Sequence, residues 1–234
     1  LKHIKEAALR LEGVVKHTSL EYCSRLSEYF GAQIYLKRED QQTVRSFKIR
    51  GAYNKMVTLT PDEKKRGVVC ASAGNHAQGI AYSCNILKIK GTIFMPIITP
   101  NQKIEKVIKF GGKYTDIQLI GNTFDEASSA ALKFCAKKNA VYVHPFNDPF
   151  TIAGQGKVAK EIYEDLNGKL DYVLTCIGGG GLIAGVATYL KGKNKNIQVI
   201  AVEPSGAGGM YISIENKKVT SLPTIDTFVD GAAV

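Results

Sequence analysis

The chain has 234 residues, of which 44% are hydrophobic and 22% charged, and it carries a formal net charge of +10. That length allows one large domain or two small ones around a real core, and the composition excludes disordered and fibrous classes. No apolar run approaches membrane-spanning length, the opening residues do not read as a signal peptide, and the five cysteines never stand at CxxC spacing, so neither a disulfide framework nor a zinc site is expected.

Strand and helix patterns alternate along the chain. Gln33–Lys37 reads as a strand, Ser46–Leu59 as a helix, Val68–Ala71 as a strand and Asn75–Leu87 as a helix. Gly91–Met95 (strand), a helix around Gln102–Phe110, Asp116–Ile120 (strand), Thr123–Asn139 (helix) and Val141–His144 (strand) follow. A helix near Thr151–Asp165 then leads to the strand Tyr172–Ile177, a helix from Leu182 to Leu190, and the strand Val199–Val202. This order predicts an α/β fold with parallel, doubly wound sheet. Pro145–Pro149 is the clearest break and a candidate domain crossing. Cys70 and Cys176 lie in apolar strand runs and read as buried, inert thiols.

The excess of lysine is scattered in short runs such as Lys64-Lys65-Arg66 and Lys137-Lys138, mostly at helix ends and turns. These runs are not interleaved with exposed aromatics, so a solvated surface is expected rather than a nucleic-acid face. A reducing cytoplasm is the expected compartment.

Gly178-Gly179-Gly180-Gly181, between an apolar strand and a helix, is the most informative segment. Glycines allow backbone N–H groups to close on a ligand, and a helix N-terminus adds partial positive charge, so the loop reads as an anion cradle, most often for phosphate. No Gly-Lys-Ser/Thr follows, which excludes a nucleotide P-loop. Gly179-x-Gly181-x-x-Ala184 with Glu203 after the next strand also fits the dinucleotide fingerprint, so a nicotinamide or flavin cofactor stays open on this loop alone.

Two further segments matter. Ser46-Phe47-Lys48-Ile49-Arg50-Gly51-Ala52 places a lysine among apolar neighbours at a helix start, where a lowered pKa makes an amine nucleophile; a snorkelling surface lysine is the plain alternative. Ser72-Ala73-Gly74-Asn75-His76-Ala77-Gln78-Gly79 repeats the strand-to-helix geometry and presents free N–H groups to a second anion; Asn75 reads equally as a helix cap.

Taken in order, these three segments resemble the fold-type II (tryptophan synthase β-like) pyridoxal-phosphate enzymes, and within them the serine/threonine dehydratase family, biosynthetic threonine dehydratases (threonine deaminases) in particular. The likeness runs through essentially the whole chain. It includes Lys37-Arg38-Glu39-Asp40, His144-Pro145-Phe146, Ala153-Gly154-Gln155-Gly156, Val202-Glu203-Pro204 and Phe228 to Val234. The resemblance implies two open, twisted parallel-sheet domains with pyridoxal 5'-phosphate in the cleft: residues 1–53 and 141–234 as a large cofactor domain, and 54–140 as a small inserted domain carrying the Asn75 loop. It implies further that Lys48 forms the Schiff base and acts as general base. Phe47 would pack beside the ring, Asn75 would bond the ring 3-hydroxyl oxygen, and Gly178, Gly179, Gly180, Gly181 and Leu182 would bind the phosphate. Ser72, Ala73, Gly74, Asn75 and His76 would hold the substrate carboxylate, and Gly231 would close the far side of the ring.

The activity so implied is dehydration and deamination of L-threonine and L-serine to 2-oxobutanoate or pyruvate and ammonia, the first step of isoleucine synthesis, by a homo-oligomer (dimer or tetramer) that acts on a small molecule without nucleic acid, membrane or metal. A serine racemase is the rival within the family; its second acid/base serine corresponds to Ala73, and the downstream aspartate of its cation site to Gly209. A non-catalytic amino-acid sensor is the rival of another class, and Lys48 argues against it. The residue meeting the pyridine nitrogen and any regulatory domain are expected beyond residue 234.

Overall fold

The computed structural model describes residues 1–226, 228, 229 and 231. The elements run α1 (Lys2–Arg10), β1 (Leu20–Tyr22), α2 (Ser24–Phe30), β2 (Tyr35–Lys37), a 3-10 turn at Glu39–Gln41, α3 (Lys48–Val57), α4 (Pro61–Arg66), β3 (Val68–Ala71) and α5 (Asn75–Leu87). They continue as β4 (Gly91–Met95), α6 (Asn101–Gly111), β5 (Thr115–Leu119), α7 (Phe124–Lys138), β6 (Val141–Tyr142), α8 (Pro149–Asp165), β7 (Tyr172–Cys176), α9 (Gly181–Lys193), β8 (Gln198–Val202) and α10 (Gly209–Glu215).

Strands β5-β4-β3-β6 form a four-stranded sheet, parallel throughout. Side chains alternate across a strand, and both faces of this sheet are apolar, as a parallel sheet covered by helices requires. Val68, Cys70, Ile93 and Met95 enter a core shared with Ile80 and Ala81 of α5 and Val107 of α6. Val69, Ala71 and Phe94 point the other way, onto Ala127, Ala131 and Cys135 of α7. The pattern of periods 2 and 3.6 therefore translates directly into a helix–sheet–helix sandwich.

A second core joins α1, α8 and α9 through Ile4, Ala7, Ala153, Ala159, Val186, Tyr189 and Leu190. Here β7 and β8 form a separate two-stranded parallel sheet. Val173 and Val199 pack onto that core, whereas Tyr172, Leu174 and Cys176 alternate onto the exposed face. Cys176 is thus exposed, which corrects the expectation of a buried thiol; Cys70, in the covered sheet, is buried, and burial pushes its thiol pKa well up. Pro145–Pro149 becomes the entry to α8, where Asp148 Oδ1 accepts from the amides of Phe150 (2.8 Å) and Thr151 (2.9 Å) with Pro149 at the first helical position.

The helices around the candidate site touch at glycines. A Cβ on Gly154 of α8 would collide with the Arg50 carbonyl of α3, and one on Gly185 of α9 would stand 2.6 Å from the Gly156 amide of α8. Such contacts bring α3, α8 and α9 close, and so fix where the first residues of α3 stand.

Candidate active site

Lys48 is the first residue of α3, with Phe47 at the N-cap. Its amine donates to the Pro145 carbonyl at 3.3 Å and stands 5.5 Å from the centroid of the Phe47 ring. The side chain is largely desolvated, and that burial lowers its pKa, because removing water penalises the ammonium form. The reason α3 lies so close to α5 is Gly79, whose absent side chain leaves room for the Lys48 carbonyl.

The loop of Ser72, Ala73 and Gly74 enters α5 beside this lysine. Ser72 Oγ accepts the Gly74 amide at 3.2 Å, turning the chain, and Gln78 N–H is the amide that returns to Gly74 O, at 3.3 Å. The amides of Asn75, His76 and Ala77, in the first turn, are therefore left for another acceptor. The Asn75 side chain is exposed. The imidazole of His76 is not part of this mouth: it is 3% exposed and sits 2.9 Å from the Val143 carbonyl. Burial, with Lys48 and His144 nearby, lowers its pKa to about 3, so the ring is neutral. What His76 offers an anion is its backbone amide alone.

The glycine loop closes the other side. Gly180 sits at φ +84°, a left-handed conformation that glycine adopts freely, and caps α9. Ala184 N–H returns to Gly180 O at 3.0 Å, which leaves the amides of Gly181, Leu182 and Ile183 free at a helix N-terminus. Pro145 and Phe146 tie the loop to the lysine. Pro145 accepts from Lys48, while a Cβ on Gly179 would project into the Phe146 ring and one on Gly181 would stand 2.9 Å from the Phe146 backbone. His144 supports the strap, since its Nδ1 accepts the Asn147 amide at 2.9 Å and its ring meets that of Phe146 edge-on at 4.6 Å.

The arrangement comprises two helix N-termini with spare amides and one desolvated amine between them. It suits a ligand with an anionic group at one end and a carbonyl that an amine can attack. A phosphate-bearing aldehyde meets both requirements, and the bare Gly179 and Gly181 let Phe146 pack directly against the loop that would hold its phosphate.

Comparison with known proteins gives the same answer. The family described as "Pyridoxal-phosphate dependent enzyme" matches residues 11–234. The chain belongs to that family.

Among curated relatives, the chain is 50% identical over 234 residues to the biosynthetic L-threonine dehydratase IlvA of Bacillus subtilis (strain 168), matched over 100% of this chain and 56% of the relative. It thus spans little more than half the length of that protein. Among solved structures, it superposes on processed threonine deaminase isoform 2 of Solanum lycopersicum with a TM-score of 0.94 at 43% identity, covering 100% of this chain and 67% of that one. Maize serine racemase also gives a TM-score of 0.94, at 32% identity, covering 100% and 70%. The fold is that of fold-type II pyridoxal-phosphate enzymes, and the cofactor of the family is pyridoxal phosphate.

The dinucleotide alternative falls with the family assignment, and Glu203, which fits its acidic residue by spacing, holds the start of α10 instead. Both carboxylate oxygens are engaged by α10, accepting the amides of Met210 and Tyr211 at 2.9 Å each. Gly231 is exposed, and a Cβ built on it would meet nothing within 4 Å. Its role rests on the resemblance alone, and four of the closing residues of that motif (230 and 232–234) lie outside the described residues. Among the described residues no group of His, Cys, Asp and Glu has a metal-holding arrangement, and no helix is long and apolar enough to cross a membrane. Sequence reasoning passed over Pro145 and Phe146 as parts of the site, although His144-Pro145-Phe146 stood out as a motif.

Proposed function

We propose that the protein dehydrates and deaminates L-threonine, and with it L-serine, to 2-oxobutanoate or pyruvate and ammonia, as the opening step of isoleucine synthesis. The observation that carries this reading is the 50% identity, along all 234 residues, with a protein named biosynthetic L-threonine dehydratase. We place it in the cytoplasm as a homo-oligomer; five free cysteines fit a reducing compartment. Two lobes, residues 1–53 with 141–234 and residues 54–140, would enclose the site; the separate four-stranded and two-stranded parallel sheets support such a division, with the correction that β6 (Val141–Tyr142) pairs with β3 and so goes with the smaller lobe.

When bound, pyridoxal phosphate supplies an electron sink for the substrate α-carbon. Lys48 would hold it covalently, and the lowered pKa of Lys48 favours the neutral amine that could take the α-proton as general base. Gly178, Gly179, Gly180, Gly181 and Leu182 bind the phosphate through backbone amides. Phe47 would flank its ring, the Asn75 side chain would bond the ring hydroxyl oxygen, and Gly231 would close the far side. The loop of Ser72, Ala73, Gly74, Asn75 and His76 binds the substrate carboxylate, His76 through its amide rather than its ring.

Ala73 favours elimination over racemisation. Racemisation needs a proton donor on each face of the planar carbanion, and a methyl group moves no proton. The test is to incubate the protein and pyridoxal phosphate with L-threonine and L-serine, then follow 2-oxo acid, ammonia and residual amino acid by chiral chromatography. Equal release of 2-oxo acid and ammonia with little D-amino acid is expected; D-serine formed as fast as pyruvate would give the assignment to the racemases.

A further inference from the structure

Two residues after Lys48, α3 carries a fully buried charge. Arg50 is 0% exposed and has two carboxylate partners. Nε and Nη2 donate to Glu39 at 2.7 and 2.6 Å, and Nη1 and Nη2 donate to Glu161 of α8 at 2.7 and 2.8 Å. Nη2 also reaches the Lys16 carbonyl at 3.3 Å. The carboxylates are themselves held. Thr18 Oγ1 donates to Glu39 at 2.6 Å, while Lys157 and Lys37 meet Glu161 at 2.6 and 2.9 Å. Lys37 in turn donates to the Thr18 carbonyl at 2.7 Å.

Burying so many charges costs more solvation free energy than simple stability requires, and apolar residues of similar volume hold a core as well or better. What the forked guanidinium gives instead is direction, because two bidentate pairs fix its plane. Residues two apart on a helix point roughly 200° away from one another around its axis. Arg50 therefore grips α3 from the side opposite Lys48. The remaining freedom of that turn is removed by contact, with Gly154 against the Arg50 carbonyl and Gly79 against the Lys48 carbonyl.

We propose that Arg50, clamped between Glu39 and Glu161, is a positioning residue that sets the height and azimuth of the Lys48 amine in the cleft. This rests on the reading that Lys48 is the cofactor-bearing lysine. It assigns Glu39 and Glu161, from the N-terminal segment and from α8, to the same task.

The test compares Arg50→Lys, which keeps the charge and loses the fork, with Glu39→Gln, which keeps the shape and loses one charge. Each is measured for thermal unfolding without cofactor, for the pH midpoint of the visible band of the lysine-bound cofactor, and for kcat and KM with L-threonine. The positioning role predicts a displaced midpoint in both variants and a kcat lowered about 10- to 100-fold in Arg50→Lys, with KM changed less than about threefold, because small misplacement of a reacting group is expensive. If Arg50→Lys does not fold, the midpoint of Glu39→Gln decides. A lower melting temperature with an unchanged midpoint and unchanged kcat per bound cofactor would reduce Arg50 to a structural role and overturn the proposal. Failure of the dehydratase reading would show separately, as absence of 2-oxo acid from the unmodified protein, while the midpoint and melting measurements would still report on Arg50.

Discussion

Gly79 of α5 lies against the backbone of Lys48: a Cβ built on it would stand 3.3 Å from both the carbonyl carbon and the oxygen of that lysine. Alanine in mid-helix gains about 0.5–1 kcal/mol over glycine, but overpacking a tight contact costs about 1–3 kcal/mol. Because Arg50 and Gly154 hold α3 from behind, the helix cannot retreat. Gly79→Ala is therefore expected to destabilise the protein by roughly 1 kcal/mol and to lower turnover. Thermal unfolding together with kcat checks it; a variant as stable as the parent would show slack between α3 and α5.

Gly179→Ala probes the phosphate cradle. The added methyl would enter the Phe146 ring, so the loop or the strap must move and its amides lose their aim. Cofactor Kd is expected to rise at least about tenfold, equivalent to about 1.4 kcal/mol. Equilibrium dialysis reads it, and adding Phe146→Ala is expected to restore part of the affinity. An unchanged Kd in the single variant would separate this loop from the phosphate.

His76 makes a signed prediction about pH. Its folded pKa, lowered by burial to about 3, lies below the ordinary value of 6.5. Between these values the unfolded chain binds a proton that the native protein refuses, so stability falls as pH drops from 6.5, by up to roughly 1.4 kcal/mol per pH unit. Glu161 acts lower down. Burial would raise its carboxyl, yet Arg50, Lys157 and Lys37 hold it at about 2, so its contribution is lost only below 4.5. Unfolding at pH 7.5 and 4.5 should show a smaller loss for His76→Gln than for the parent. Equal losses would mean that the buried imidazole does not control this window.

The parts of the fold legible in the sequence were those with a strong period. The strands Val68–Ala71 and Gly91–Met95 stand in the structure with the bounds read from the sequence, because parallel strands buried on both faces are continuous apolar runs, and the helix Asn75–Leu87 between them keeps its bounds too. Of the elements passed over, α1 does carry a helical period in its buried Ile4, Ala7 and Ala8, but others lack that signal. β1 has three residues, and α4, Pro61–Arg66, has no buried face, its start being fixed instead by the Thr60–Glu63 capping box. The Arg50 clamp was illegible for another reason. Charged residues read as solvated one at a time, and its carboxylates lie 11 and 111 positions away along the chain. Cys176 misled in the opposite sense: its run is apolar, but its face of the β7–β8 sheet is exposed.

On the proposed reading, Lys48 is the lysine to which the family's cofactor is bound. Borohydride reduction of the protein with pyridoxal phosphate, followed by peptide mass spectrometry, tests this without any substrate. The structure, with its desolvated amine between two helix N-termini, predicts one stoichiometric phosphopyridoxyl adduct in the peptide containing Ser46-Phe47-Lys48. A stoichiometric adduct on another lysine, with Lys48 unmodified, would contradict it.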